Sequence, residues 1–175
     1  MCIRDSPNYR FNLDGSWIVE QWLATRTSEQ ARRFRDQALA GKIAINALYA
    51  SPMSQLPLLE ELFRSLYFSK QLEATHGVPF EFANVTDVPS YSWSLPSILA
   101  SAGIRYFAAG GNQTRGPLLA HGRWNLRSPF WWEGPDGSRV LGCRFGALSR
   151  FSFYFYIYRR CIYNQTRDDW PYSWN

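Results

Sequence analysis

The sequence predicts an α/β fold with a mostly parallel sheet. Three observations lead there: short apolar segments alternate with amphipathic ones from residue 9 to residue 109, the helical segments carry their own start and stop signals, and the strand-like segments run into turn residues. In such folds a helix returns the chain between parallel strands, and functional residues collect in the loops that follow strand C-termini.

The elements follow in order. Residues 9–13 read as a short strand stopped by the turn pair Asp14-Gly15, and Ser16 can cap a helix that carries Trp17, Ile18, Gln21 and Trp22. Thr27 followed by Gln30 has the form of a capping box, and residues 28–40 place Ala31, Phe34, Ala38 and Leu39 at helical spacing before Gly41 stops them. Residues 42–49 (KIAINALY) are short and apolar, as a buried strand would be. After a loop at 50–55, the apolar residues of 57–75 repeat at three and four until Gly77 and Pro79, which predicts the longest helix of the chain.

Residues 80–85 give the next strand, which leads directly into Thr86-Asp87-Val88-Pro89. A proline there disfavours continuation of either regular element, so Asp87 is expected at a strand exit. Residues 94–101 form a short helix that tolerates Pro96 in its first turn, and residues 104–109 a further strand. Residues 110–128 are polar and glycine-bearing, as a long functional loop would be, and residues 129–133 and 138–144 flank Gly134-Pro135-Asp136-Gly137 as a β-hairpin. Residues 145–175 are rich in Phe, Tyr and Arg without a clean period and are not assigned. The strand-exit rule singles out residues 14–17, 50–55 and 87–93.

Composition narrows the function. Of 175 residues, 46% are hydrophobic and 19% charged, a globular balance for about one domain. The net charge of +5 is spread along the chain, and its tightest group, Arg32, Arg33 and Arg35, falls on a helix face, so a nucleic-acid partner is not expected. No apolar run approaches a membrane span, and no membrane partner is expected. Cys2, Cys143 and Cys161 have neither the number for a disulfide framework nor a metal-like spacing. Compartment and oligomeric state are not readable. Met1 to Ser6 (MCIRDS) reads as translated sequencing adapter, a sequencing artefact at 1–6, and the natural chain is expected to begin upstream of Pro7.

Asp87 is the leading candidate for chemistry. A carboxylate at the exit of an apolar strand, followed by proline, can be held rigidly, as a nucleophile or metal ligand must be. The competing reading is a capping or turn residue for the segment that follows. Trp17, Tyr91, Trp93, Trp124, Trp131 and Trp132 could stack on sugar rings; core packing accounts for most of them, and Trp17 and Tyr91, just beyond strand exits, are the exceptions. Asn84, Asn112 and Asn164 begin Asn-any-Thr triplets, from which no localisation follows.

The segment NVTDVPSYSWSLP at 84–96 resembles the glycoside hydrolase family 38 α-mannosidases and their bacterial relatives. The resemblance extends in the same order through GSWIVE at 15–20, GKI at 41–43, ALY at 47–49, AGIRY at 102–106 and PFWWE with PDG at 129–137, and covers roughly residues 9–144. It implies an incomplete (β/α)7-type barrel with mostly parallel strands, residues 7–144 being part of the N-terminal catalytic domain and 145–175 an unassigned tail. It also implies a retaining α-mannosidase-like mechanism on a carbohydrate substrate, with Asp87 as nucleophile and as a ligand of a zinc ion; Trp17 and Tyr91 are the substrate-binding candidates by their position after strand exits. Retaining enzymes hold the nucleophile and the acid about 5 to 5.5 Å apart.

Departures from the family pattern are visible. The family's His-any-Asp zinc motif does not occur here; the histidines are His76, at a helix end, and His121, in the long loop, and neither is taken as a ligand. Ser90 and Tyr91 stand where the mannosidases carry Gly-His. The acid/base is unassigned, since Asp168 and Asp169 lie in the tail and Asp136 beside Gly137 reads as a turn residue. This chain alone is expected to be inactive. The rival readings are a metal-dependent carbohydrate deacetylase, which requires a paired-His motif, and a non-catalytic carbohydrate-binding barrel protein.

Overall fold

The computed structural model describes residues 9–88, 91–111 and 129–145. Its elements run β1 (Phe11–Leu13), α1 (Ser16–Ala24), α2 (Ser28–Leu39), β2 (Ile43–Ile45), α3 (Leu59–Arg64), α4 (Tyr67–His76), β3 (Phe82–Val88), α5 (Leu95–Ser101), β4 (Tyr106–Gly111), β5 (Phe130–Glu133) and β6 (Arg139–Phe145). The expected α/β alternation is present. β1 pairs with β2 in parallel, and a second sheet has the order β3-β4-β6-β5, parallel except for the antiparallel β5-β6 hairpin. The described strands form an open arrangement, not a closed barrel.

The two sheets are joined by a side chain acting as a peptide group. Asn46, fully buried, follows β2. Its Nδ2 donates to the carbonyls of Asp14 (2.9 Å) and Asn84 (2.8 Å), and its Oδ1 accepts from the amides of Leu48 (3.1 Å) and Asn84 (3.0 Å). The Ala47 amide donates to the Phe82 carbonyl at 3.1 Å beside it. All four hydrogen-bonding positions of the amide are thereby used, which is what a buried Asn requires. The C-terminal ends of β1 and β2 and the first half of β3 meet at this residue.

The helices cover the outer faces of the strands. Val19 of α1, Leu62 of α3, Leu72 of α4 and Leu95, Ile98 and Leu99 of α5 pack with Ile45, Ala83, Val85, Phe107 and Val140 from the strands, all nearly or fully buried. Each large aliphatic side chain so placed contributes roughly 1.5–3 kcal/mol.

Local sequence signals explain most boundaries. Thr27 and Gln30 form both halves of the expected capping box, and Gly77 ends α4 in left-handed backbone (φ 69°). Ser16, in contrast, does not cap α1. Gly15 is the N-cap without a side-chain bond, and the first amides of the helix donate instead to the carbonyls of Leu48 (3.0 Å) and Tyr49 (3.1 Å).

Two expected elements are shorter than their apolar patterns. The 57–75 segment is two helices: the Ser65 carbonyl accepts the Tyr49 amide at 2.8 Å, and the Ser65 hydroxyl donates to the Leu62 carbonyl at 2.6 Å, which ends the helical ladder there. α2 is therefore longer than either half. The strand expected at 42–49 stops at Ile45 because Asn46 takes over the pairing, although Ala47 and Leu48 remain fully buried. Strand β3 goes the other way. It begins at Phe82 and continues through Val88, beyond the expected end at residue 85. The tail beyond residue 145, His121, Trp124, Asp168 and Asp169 lie outside the described residues.

Candidate active site

The candidate site lies where β1, β2 and β3 end. Within β3, Ala83 and Val85 are fully buried against the helices, so Asn84 and Thr86, two apart, share the opposite face. Both meet Asp14, which leaves the end of β1. Asp14 Oδ1 accepts from Asn84 Nδ2 at 2.6 Å, and the Thr86 hydroxyl lies 3.3 Å from Oδ1 and 3.2 Å from Oδ2.

Asp87 follows immediately. Thr86 is in register with Gly110 of β4 and Val88 with Gly111, so Asp87 is the extra residue of a β-bulge. Such bulges break pairing locally and concentrate beside active sites. The backbone at Asp87 is thus at the C-terminal end of a buried strand, where the sequence led it to be expected. Its side chain lies outside the described residues, as do Pro89 and Ser90.

On the far side of the bulge the chain is anchored again. The Ser92 amide donates to the Ser54 hydroxyl at 2.8 Å, Ser54 being almost fully buried, and Gln55 Nε2 donates to the Tyr91 carbonyl at 3.4 Å. The loops after β2 and β3 are therefore tied together. The Tyr91 ring, expected to escape core packing, is instead half-buried against the core and meets Phe107 and Trp132 edge-on, with centroids 5.7 and 6.1 Å away.

The other sequence-predicted aromatics divide differently from expectation. Trp17 is 45% exposed on the first turn of α1, but Trp93 (70%) and Trp131 (66%) are more exposed still, while Trp132 packs against the core. Trp93 follows β3 on the same loop as Tyr91, and core packing does not account for it. Asn46 was not singled out by sequence, Asn84 and Thr86 entered only through the glycosylation triplet and the family-like segment, and Asp14 lay in a strand-exit region without being given a functional role. Asp14 had the same signal as Asp87, a carboxylate at a strand exit, but its neighbour Gly15 gave it a turn reading.

Asp136 is the turn residue its neighbours suggested. Ser97 donates to its carboxylate, and so do the hydroxyl and amide of Ser138 at 2.7 and 3.0 Å. These donors, Ser97 first, hold its carboxyl below the usual carboxylate range. The carboxylate joins the hairpin turn to α5. His76 is exposed at the end of α4 and borders a groove of about 310 Å³ with Arg32, Arg35 and Phe34, on the helical side of the fold.

Among the described residues no three His, Cys, Asp or Glu side chains gather as metal ligands. The carboxylate beside the end of β3, Asp14, is engaged by Asn84 and Thr86. The described residues thus do not by themselves form a zinc site.

Residues 1–158 match the model of the glycosyl hydrolases family 38 N-terminal domain. The chain belongs to glycosyl hydrolase family 38. A protein of Halalkalibacterium halodurans, provisionally named a mannosylglycerate hydrolase, is 30% identical over 145 residues, which are 78% of this chain and 16% of the relative. Two crystal structures from Enterococcus faecalis share the fold at 20% identity. One is a family 38 protein (TM-score 0.58, 94% of this chain, 18% of the other), and the second an α-mannosidase (TM-score 0.61, 82% and 16%). A 4-α-glucanotransferase of Thermococcus litoralis has the same fold at 16% identity (TM-score 0.63, 91% and 25%). Fold likeness at these identities does not select the chemistry. The chain spans about a sixth of the curated relative that it matches.

Proposed function

We propose that the family 38 protein to which this chain belongs is a retaining α-mannosidase-like hydrolase, with Asp87 as its nucleophile. One observation carries the reading: Asp87 is the bulged residue at the end of β3, and the chain is fastened on both sides, before it by the Thr86 hydroxyl on Asp14 and after it by the Ser92 amide on Ser54. A nucleophilic carboxylate needs such fixed placement to meet the anomeric carbon at reacting distance. Substrate class comes from the relatives, one named for mannosylglycerate hydrolysis and one an α-mannosidase. The open sheet is then one side of a (β/α)7-type barrel.

In this mechanism the Asp87 carboxylate attacks the anomeric carbon, the leaving oxygen is protonated by an acid from outside the described residues, and water then releases the sugar. Trp17 and Tyr91 belong to the substrate-binding surface, Trp17 offering an exposed face to the apolar side of a pyranose. Zinc is part of the proposal, with Asp87 among its ligands and the others from outside the described residues. Bound there, it would supply Lewis-acid stabilisation of charge on sugar oxygens.

The test uses the full-length gene product. Turnover of an aryl α-mannoside or of mannosylglycerate, lost on chelation and restored by zinc, supports the proposal. A well-folded protein that hydrolyses neither, with zinc supplied, contradicts it and favours the carbohydrate-binding reading.

A further inference from the structure

We infer that Asp14 is a positioning residue for this reaction: it fixes Thr86, and through Thr86 the strand end that carries Asp87. The inference rests on the reading of Asp87 as nucleophile. A carboxylate that served only its own turn would bond to backbone within the turn. Asp14 instead reaches across the end of β2 to side chains 70 and 72 residues later in the chain. Donors meeting an ionised carboxylate give stronger and better-aligned bonds than neutral pairs.

Thr86 is held from its other side by an independent feature. A Cβ on Gly110 would stand 3.2 Å from Thr86 Cγ2 and 3.5 Å from Thr86 Cα. The Thr86 methyl therefore packs over bare backbone at Gly110, its register partner, while its hydroxyl meets Asp14. A β-branched side chain has few rotamers, and contacts on both branches select one. Asn84, the second group on Asp14, is locked through its own backbone, whose amide and carbonyl both bond to Asn46.

The location gives the arrangement its consequence. Thr86 is the last residue of β3 in step with β4 before the bulge. A bulged residue receives no placement from the ladder, so the residue before it must supply the fixed point. Asp14, Thr86 and Gly110 form that fixed point from three different strand ends. Small displacements of a reacting group cost on the order of a hundredfold in rate, and they act on kcat when substrate binding is untouched.

The experiment is a double-mutant cycle in the full-length enzyme, with kcat and KM measured on an aryl α-mannoside for Asp14→Ala, Thr86→Val, the double variant, Thr86→Ser and Asp87→Ala. Thr86→Val preserves shape, so if Asp14→Ala folds poorly the comparison of Thr86→Val with Thr86→Ser still tests the inference. Asp14→Ala and Thr86→Val are each expected to lower kcat by roughly ten- to a hundredfold with KM little changed. The double variant should be no slower than the slower single, and Thr86→Ser, which keeps the hydroxyl on Asp14 but loses the methyl on Gly110, should fall between Thr86→Val and wild type. Additive losses, a loss confined to KM, or wild-type kcat in Thr86→Val while Asp87→Ala is inactive would overturn the inference alone. Full turnover by Asp87→Ala would overturn the reading on which it rests.

Discussion

Replacing Asn46 by alanine should open the seam between the two sheets. The side chain is fully buried and makes four hydrogen bonds of 2.8 to 3.1 Å, all to main-chain groups. Truncation leaves the amides of Leu48 and Asn84 without acceptors and removes a donor from two carbonyls. Each stranded buried amide costs roughly 1–3 kcal/mol, and a carbonyl with a second lone pair costs less, so the total is about 3–5 kcal/mol. Leucine, of similar size, does no better, because the orphaned partners are peptide groups that no second substitution can remove. Hydrogen exchange of the full-length protein reads this locally, without assuming two-state unfolding. Peptides containing Leu48 and Asn84 should lose protection by roughly a hundredfold or more, while the hairpin of β5 and β6 changes little. Unchanged protection at both amides would refute the idea that Asn46 stands in for a strand.

Two further perturbations test the frame around the site. A methyl group on Gly134 would lie 2.0 Å from Ser97 Oγ and 2.9 Å from the Ser97 amide nitrogen, so Gly134→Ala should destabilise by about 1–3 kcal/mol; an unaltered denaturation midpoint would contradict the close approach of hairpin and α5. Asp136 is held below the usual carboxylate range by Ser97 and Ser138, so its contribution to stability is complete above that range and disappears as pH falls through the lowered folded value. The stability gap between wild type and Asp136→Ala should therefore be widest near neutral pH and close in acid. Denaturant midpoints taken across pH check this, and a gap independent of pH would contradict it.

What the sequence disclosed depended on how local the cause was. The Thr27-Gln30 capping box, the glycine stop at Gly77 and the hairpin around Gly134-Pro135-Asp136-Gly137 each need only adjacent residues, and each was readable. The break between α3 and α4 was not, because it depends on the Tyr49 amide bonding to the Ser65 carbonyl from sixteen residues away, while the apolar repeat continues across the break. Asn46 was hidden for the same reason: within KIAINALY it is one polar residue in an apolar run, and its role comes from Asp14 and Asn84. Of the site, the strand exit at Asp87 was legible from the apolar run and Pro89, whereas the bulge arises from pairing with β4. The Asp14–Thr86 contact joins elements distant in sequence, and no periodicity announces it.

Trapping of the glycosyl-enzyme tests directly whether Asp87 is the nucleophile. The full-length enzyme would be incubated with an activated 2-deoxy-2-fluoro α-mannoside, which slows release of the glycosyl-enzyme, then digested and examined by mass spectrometry. One fluorosugar is expected on the peptide containing Asp87, at the Asp87 carboxylate, and none in Asp87→Ala. Label on any other carboxylate, with Asp87 unmodified in an active preparation, would contradict it.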